Sequence, residues 1–345
     1  MNDNAADIWV LLGRRTGDNR QMMALAEATG LSWQGRQLRF RTLSALPNVV
    51  VGASLATLES SAREGLAPPW PKIVITAGKR AVPAARWIRK ESGGRTKLVH
   101  IGRPWAPLGW FDLVVTTAQY GLPEAPNVVC NLMPLGEPVV HEPSLEDAPR
   151  LVGVLVGGNS RPLVLDADAA RRLAERALEA ARREKAALVV VTSPRTPAEA
   201  VRALGATLDA AHGVASRLAL YGRDPHGYAE TLRTASRLIV TDDSAAMLAD
   251  AVMTGLPVEV FALPNRPDFR LRAVRRVEAL ASHGNAAKRF FDNTVEAGLI
   301  SSVRDLTAYT AALERAGLLA GGDAAAVTRE KELRNAAERV RALKL

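Results

Sequence analysis

The chain has 345 residues, 48% of them hydrophobic and 23% charged, with one cysteine and a net charge of +9. A single cysteine, Cys130, excludes an intrachain disulfide and a thiolate metal cluster. No apolar run approaches the roughly 18 residues that cross a bilayer, and the polar start MNDNAAD lacks the basic region of a signal peptide. A cytoplasmic protein is expected, with a peripheral place on the inner face of the cell membrane as the second option. The positive charge suits an anionic partner such as phosphate, nucleotide or acidic lipid.

Strands and helices alternate from the start. Residues 7–12 read as a strand ending at Gly13, 19–29 as a helix with Gly30 as its C-cap, and 38–41 as a short strand. A strand at 73–76 leads into Ala77-Gly78-Lys79-Arg80. A helix over 81–92 follows, with Pro83 in its first turn and Gly93-Gly94 closing it. Strands are expected at 98–101, 113–116 and 127–132. Between Lys72 and Arg103 nine basic residues face one acid, Glu91, and all six tryptophans fall at or before Trp110. Two readings fit: solvated helix faces over core indoles, or a basic, tryptophan-bearing surface resting on anionic lipid headgroups. No nucleic-acid motif accompanies the charge, so that partner is not expected.

Residues 134–150 contain four prolines and no periodicity, and 136–150 reads as a linker. A second alternating series follows: strand 151–156, helix 166–185, strand 187–191, helix 197–204, strand 217–221, helix 228–235, and then a strand, helix and strand across 238–262. The organisation is therefore a domain over 1–135, the linker, a second domain over 151–302, and a helical tail over 303–345. Whether the tail returns to the first domain is left open. The fold class is α/β, with two Rossmann-like, doubly wound parallel-sheet domains facing a cleft.

In such sheets ligands sit beyond the carboxyl ends of the strands. Gly13, Arg14, Arg15 and Gly17 follow the first strand. They fit an anion cradle, or an ordinary turn with Asp18 or Asn19 as N-cap. Gly78, Lys79 and Arg80 place two cations at a helix start, where they oppose the helix dipole. Gly157-Gly158-Asn159-Ser160 follows the strand at 151–156, and paired glycines admit a pyrophosphate. Arg195 should lie beside them on the same sheet edge. Thr241-Asp242-Asp243-Ser244-Ala245 is explained by helix capping, whereas Asp250, among apolar residues of that helix, is not. Asp166 and Asp168 read as capping rather than as a metal motif, and the five histidines lack metal-ligand spacing. No metal and no cofactor are expected.

Several segments resemble one family. They are Gly17-Asp-Asn-Arg-Gln21 with Ala24-Leu-Ala-Glu27, Phe111-Asp-Leu-Val-Val115, Val154-Leu-Val-Gly-Gly158, Ser193-Pro-Arg-Thr-Pro197 and Val240-Thr-Asp-Asp-Ser244. Together they are similar to bacterial members of the family named after the plant elongated-mitochondria fission factor. That family is similar in turn to GT-B glycosyltransferases. The resemblance implies a nucleotide-sugar site on the second domain: Gly157 and Gly158 lining the diphosphate, Asp243, Ser244 and Ala245 near it, and Asp250 on the ribose. Asn159, Ser160 and Arg195 join the same diphosphate site by their place at the strand ends. Three positions depart from the family pattern. Asp250 stands for its usual Glu, Gln119-Tyr120 for His-Asp, and His226-Gly227-Tyr228 for Asn-Pro-Tyr.

The reading that follows is a metal-independent glycosyltransferase using a nucleotide-diphosphate sugar. Its acceptor would sit near Gly13–Gly17 and Gly78–Arg80, with Asp18 as the candidate base. The alternatives are a nucleotide-sugar epimerase and a non-catalytic adaptor at a membrane or protein surface, the latter favoured by the missing His-Asp pair.

Overall fold

The computed structural model describes residues 6–137, 141, 150–267, 269, 272, 273, 276, 294 and 305–343. The chain divides into two units. Unit 1 holds the described residues through Glu137, Arg276, Thr294 and those from Arg329 onward, and unit 2 holds those from His141 to Ala273 and from Asp305 to Thr328. Most of the expected linker lies outside the described residues, as does the expected boundary at 302.

In unit 1, β1 (Ile8–Leu12), α1 (Thr16–Ala28), β2 (Trp33–Gln37), α2 (Asn48–Val51), α3 (Ser60–Glu64), β3 (Ile73–Ala77), α4 (Val82–Glu91), β4 (Lys97–Ile101), β5 (Leu113–Thr117) and β6 (Val128–Asn131) follow in order. All six strands pair in parallel, in the order β2-β1-β3-β4-β5-β6. The central strands are β-branched runs such as IVITA and LVVTT, buried on both faces, as a covered parallel sheet requires. Trp9, Val74, Leu98 and Val114 pack with Val82 and Ile88 of α4. On the other face Ile8, Val10, Ile75, Val99 and Val115 meet Met22 and Leu25 of α1.

In unit 2, β7 (Leu151–Leu155), α5 (Ala167–Glu184), β8 (Ala187–Val191), α6 (Ala198–Asp209), β9 (Ser216–Ala219), α7 (Gly227–Thr234), β10 (Arg237–Thr241), α8 (Ala245–Met253) and β11 (Val258–Phe261) form a parallel sheet in the order β11-β10-β7-β8-β9. Among the described residues, helices α9 (Leu306–Arg315) and α10 (Ala324–Arg341) come next. From Arg329 onward α10 belongs to unit 1, where Ala336, Ala337 and Val340 join the core beside α1. Polar contacts anchor it there. Glu332 accepts from the Leu132 and Met133 N–H groups at 2.6 and 2.9 Å, and Arg329 donates to the Leu135 and Gly136 carbonyls. Burial pushes the Glu332 carboxyl above its ordinary range, against the pull of those two N–H donors.

The fold class is the expected one, two doubly wound parallel sheets, and three local expectations are corrected. The second strand is Trp33–Gln37 rather than 38–41: its polar, half-exposed residues suit an edge strand, and only Leu38 N–H still reaches back to Leu12. Helix α1 begins at Thr16, with Arg15 as its cap residue. Asn19 does not cap it; its amide both accepts from and donates to the Gly13 backbone at 2.9 Å. Helix α6 runs to Asp209, beyond the expected 204.

Five of the six tryptophans, all but Trp105, pack in or against the core. Trp9, Trp70 and Trp87 meet edge to face, with ring centroids 5.9 and 5.6 Å apart, and none of the six is exposed. Arg86 stacks 3.4 Å over Trp110, and Arg89 holds Asp112 together with the Thr96 and Trp110 carbonyls. Part of the basic run is thus spent on internal structure. No helix among the described residues is long and apolar enough to cross a membrane.

His100 of β4 is fully buried, 5.1 Å from the Phe111 ring, and neither of its ring nitrogens makes a well-formed hydrogen bond. Burial pushes its pKa down to about 3, against a weaker upward pull from the Arg103 backbone. As pH falls below about 6.5 the unfolded chain takes up this proton before the folded one does. The stability due to neutral His100 is therefore whole above that pH and is lost toward pH 3. Between neutrality and about pH 4.5, urea unfolding of the wild type should lose about 2 kcal/mol more than that of His100→Gln. Equal losses in the two proteins would refute the assignment.

Candidate functional site

The chain runs outward from β7 to β8 and β9, then crosses back to place β10 on the other side of β7. The point where strand order reverses is where open α/β sheets leave a crevice. In unit 2 it lies between the ends of β7 and β10, where Gly157, Gly158, Thr241 and Asp243 sit. The residues expected on one sheet edge do come together here, and what joins them is Asp243.

The Asp243 side chain is 0% exposed. It accepts from the Thr241 hydroxyl at 2.6 Å and the Gly158 N–H at 2.9 Å, and pairs with the Arg195 guanidinium at 2.9 Å. Burial pushes its carboxyl above the ordinary range, while Thr241, Arg195 and the Gly158 N–H pull it down. The Gly157 N–H donates to Thr241 Oγ1 at 2.8 Å. Both glycine N–H groups are therefore engaged within the chain rather than turned outward. The need for glycine also has an internal cause. A Cβ on Gly157 would strike the Asp243 carboxylate, and one on Gly158 would strike the Arg195 carbonyl.

The loop after β8 closes the arrangement. Ser193 and Thr196 hydroxyls both donate to the Gly157 carbonyl at 2.6 Å, and Thr196 Oγ1 also accepts from the Ser193 N–H. Arg195 is held by this turn with its side chain 40% exposed. Asn159 accepts from the Leu165 N–H at 2.9 Å, and Ser160 bridges to Leu163, so these two shape the loop leading to α5. Asp166 caps α5 as expected, whereas Asp168 lies in its first turn and pairs with Arg171 instead of capping.

Ser244 caps α8 and Ala245 opens it, while Asp242 accepts from the Leu263 N–H at 3.0 Å. Asp250 is half-buried, and the Tyr228 hydroxyl donates to it at 2.8 Å. The sequence marks Tyr228 only as part of a departure from the family pattern; its pairing with Asp250, 22 residues on, joins α7 to α8 and carries no local signal.

Unit 1 reverses strand order between β1 and β3. A pocket of about 690 Å³ opens there, lined by Gly13, Arg14, Arg15, Asp18, Gly78, Lys79 and Arg80 among others. Gly17 lies in the first turn of α1, outside that lining. The pocket also includes Tyr120, of the Gln119-Tyr120 departure, together with Phe40, Arg103 and Trp105, to which the sequence assigns no site role. Arg103 follows the end of β4, so the strand-end rule that found Arg195 applied to it equally. Among the described residues no cluster of three or more His, Cys, Asp or Glu side chains is arranged to hold a metal ion.

Solved structures with related backbones include a UDP-GlcNAc 2-epimerase from Methanocaldococcus jannaschii, 12% identical over 97% of this chain and 99% of that one, TM-score 0.47. Another, from Neisseria meningitidis and bound to UDP-GlcNAc, is 10% identical over 95% of this chain and 100% of that one, TM-score 0.44. A lipopolysaccharide outer core galactosyltransferase is 12% identical over 95% and 98%, TM-score 0.41. No curated protein sequence matches the chain. The family model described as mitochondrial fission ELM1 matches residues 16–316, most of the length, and the chain belongs to that family.

Proposed function

We propose that the chain is a GT-B-like transferase that takes a glycosyl group from a nucleotide-diphosphate sugar. One observation favours transfer over single-substrate epimerisation. Unit 1 has a pocket of about 690 Å³ at its own switch point, built from residues distinct from the nucleotide-side set of unit 2. A two-substrate reaction uses two such places.

On the donor side, the diphosphate charge is met by the exposed part of Arg195 and by the N-terminus of α8 at Ser244 and Ala245. These positive groups supply the leaving-group stabilisation without a metal. Asp250 accepts from ribose hydroxyls, oriented by the Tyr228 hydroxyl. Asp243 acts through Arg195: it fixes the guanidinium and braces the Gly157-Gly158 loop. On the acceptor side, Asp18 takes the proton from the attacking hydroxyl. The acceptor oxygen then bonds to the anomeric carbon as the bond to the diphosphate breaks.

A thermal-shift panel of UDP, GDP, CMP, TDP and ADP with their common sugars tests this reading. One ligand at a concentration about a hundredfold above its Kd should stabilise the protein by about 3 kcal/mol. Silence across the panel would remove the donor site and leave a non-catalytic adaptor as the reading.

With the responding nucleotide in hand, Asp250→Asn should weaken binding at least about tenfold by calorimetry, since a hydrogen bond to a charged group is lost. An unchanged Kd would place the ribose elsewhere.

A further inference from the structure

We propose that the pocket of unit 1 binds a phosphate ester, with the phosphate held by the cations of the loops after β1, β3 and β4. The cations are Arg14, Arg15, Lys79, Arg80 and Arg103, and among the described residues the lining contains one carboxylate, Asp18. Naming the ester as the acceptor rests on the transferase reading; its binding here does not.

Position is the first argument. The pocket lies at the switch point between β1 and β3, and about 690 Å³ is within the range of small-molecule sites. Charge is the second. Arg14 and Arg15 stand immediately before α1, and Lys79 and Arg80 immediately before α4. Cations at these places oppose both helix dipoles, so neither helix is stabilised by them. Among the described residues, none of these four makes an ion pair within the chain. Lys79 donates instead to the Ala45 carbonyl at 3.0 Å, and burial followed by the neighbouring Arg80 charge pulls its pKa down. The partial positive ends of two helices and the loop cations thus converge on one cavity, the field that a phosphate group satisfies.

Rigidity is the third. Arg103 stacks 4.9 Å from the Trp105 ring and donates to the Tyr120 carbonyl at 2.8 Å. Trp105 holds a φ of 54°, which a bulky residue rarely adopts, and such strain gathers at binding sites. The Tyr120 ring lies against Gly102, and Asp18 lies against Gly78, whose φ is 70°. Asp18 therefore sits between the two loops that carry the cations, where a hydroxyl of the same ligand would meet it.

The rim decides which phosphates to test. Ser44 and Ala45 line the pocket, while Leu43, Leu46 and Val50 beside them are 47%, 44% and 66% exposed. A soluble ester needs only the cavity; a lipid phosphate would also cover this apolar rim.

The experiment uses the full chain without nucleotide. Calorimetry is run with glycerol phosphate and with glycerol. Sedimentation is run with phosphatidylcholine vesicles containing or lacking phosphatidic acid. Binding of either phosphate-bearing probe, weakening with salt and absent for its neutral counterpart, supports the proposal. Glycerol phosphate alone identifies a soluble ester, and the vesicle alone a headgroup. The exposed pair Arg14→Glu with Arg15→Glu should weaken binding at least about tenfold. Arg80→Gln serves as the second variant if the pair does not fold. Binding of neither probe, or unchanged binding in a folded variant, overturns the proposal. So does loss of nucleotide binding in the Arg14 and Arg15 variant, which would make this the donor site. If the phosphate probes bind while the nucleotide panel is silent, the transferase reading fails and this inference stands.

Discussion

One buried carboxylate organises the functional edge of unit 2. Asp243 has no exposed side-chain surface, yet it answers a hydroxyl, a backbone N–H and a guanidinium from the ends of three strands. Removing any one of these partners leaves the buried carboxylate under-satisfied, so each contributes to holding it in place. The same carboxylate fills the space above Gly157, and the Arg195 carbonyl fills that above Gly158. The loops after β7, β8 and β10 therefore form one rigid piece, and Arg195 emerges from it already oriented. Fixing a guanidinium before a ligand arrives lowers the ordering cost of binding.

The two units solve the same topological problem differently. Each reverses strand order once and so leaves an opening at the carboxyl ends of its central strands. Unit 2 fills much of this space from within, through Asp243 and the turn at Ser193–Thr196. Unit 1 leaves its opening as a cavity and surrounds it with cations. Paired glycines after a strand are thus ambiguous evidence of a ligand, because the chain itself can claim the space they leave.

The pattern of the sequence foretells the alternating strands and helices because a parallel sheet buried on both faces demands short, β-branched apolar runs. It also foretells a cap at Asp243 or Ser244, the capping role of Asp166 and the gathering of Gly157, Gly158, Arg195 and Asp243. Each of these follows from local chemistry plus the rule that strand ends meet. What it misses is set by partners distant in sequence. Asn19 looks like a cap until Gly13 claims both sides of its amide. Asp250 looks unexplained until Tyr228 is beside it. The edge strand Trp33–Gln37 is polar and carries little hydrophobic period, so periodicity favours its apolar neighbours instead.

The surplus of positive charge acquires a different meaning once the chain is folded. Read along the sequence, the run from Lys72 to Arg103 is one basic stretch. In the fold it divides. Arg86 and Arg89 are committed to Trp110, Asp112 and backbone carbonyls, while Lys79, Arg80 and Arg103 join Arg14 and Arg15 around one cavity. Like charges gathered in a partly enclosed space repel one another, and that cost is larger where water is excluded. Helix dipoles pointing into the same space add to it. An anion bound in that cavity would offset this repulsion, and its binding energy would include that relief.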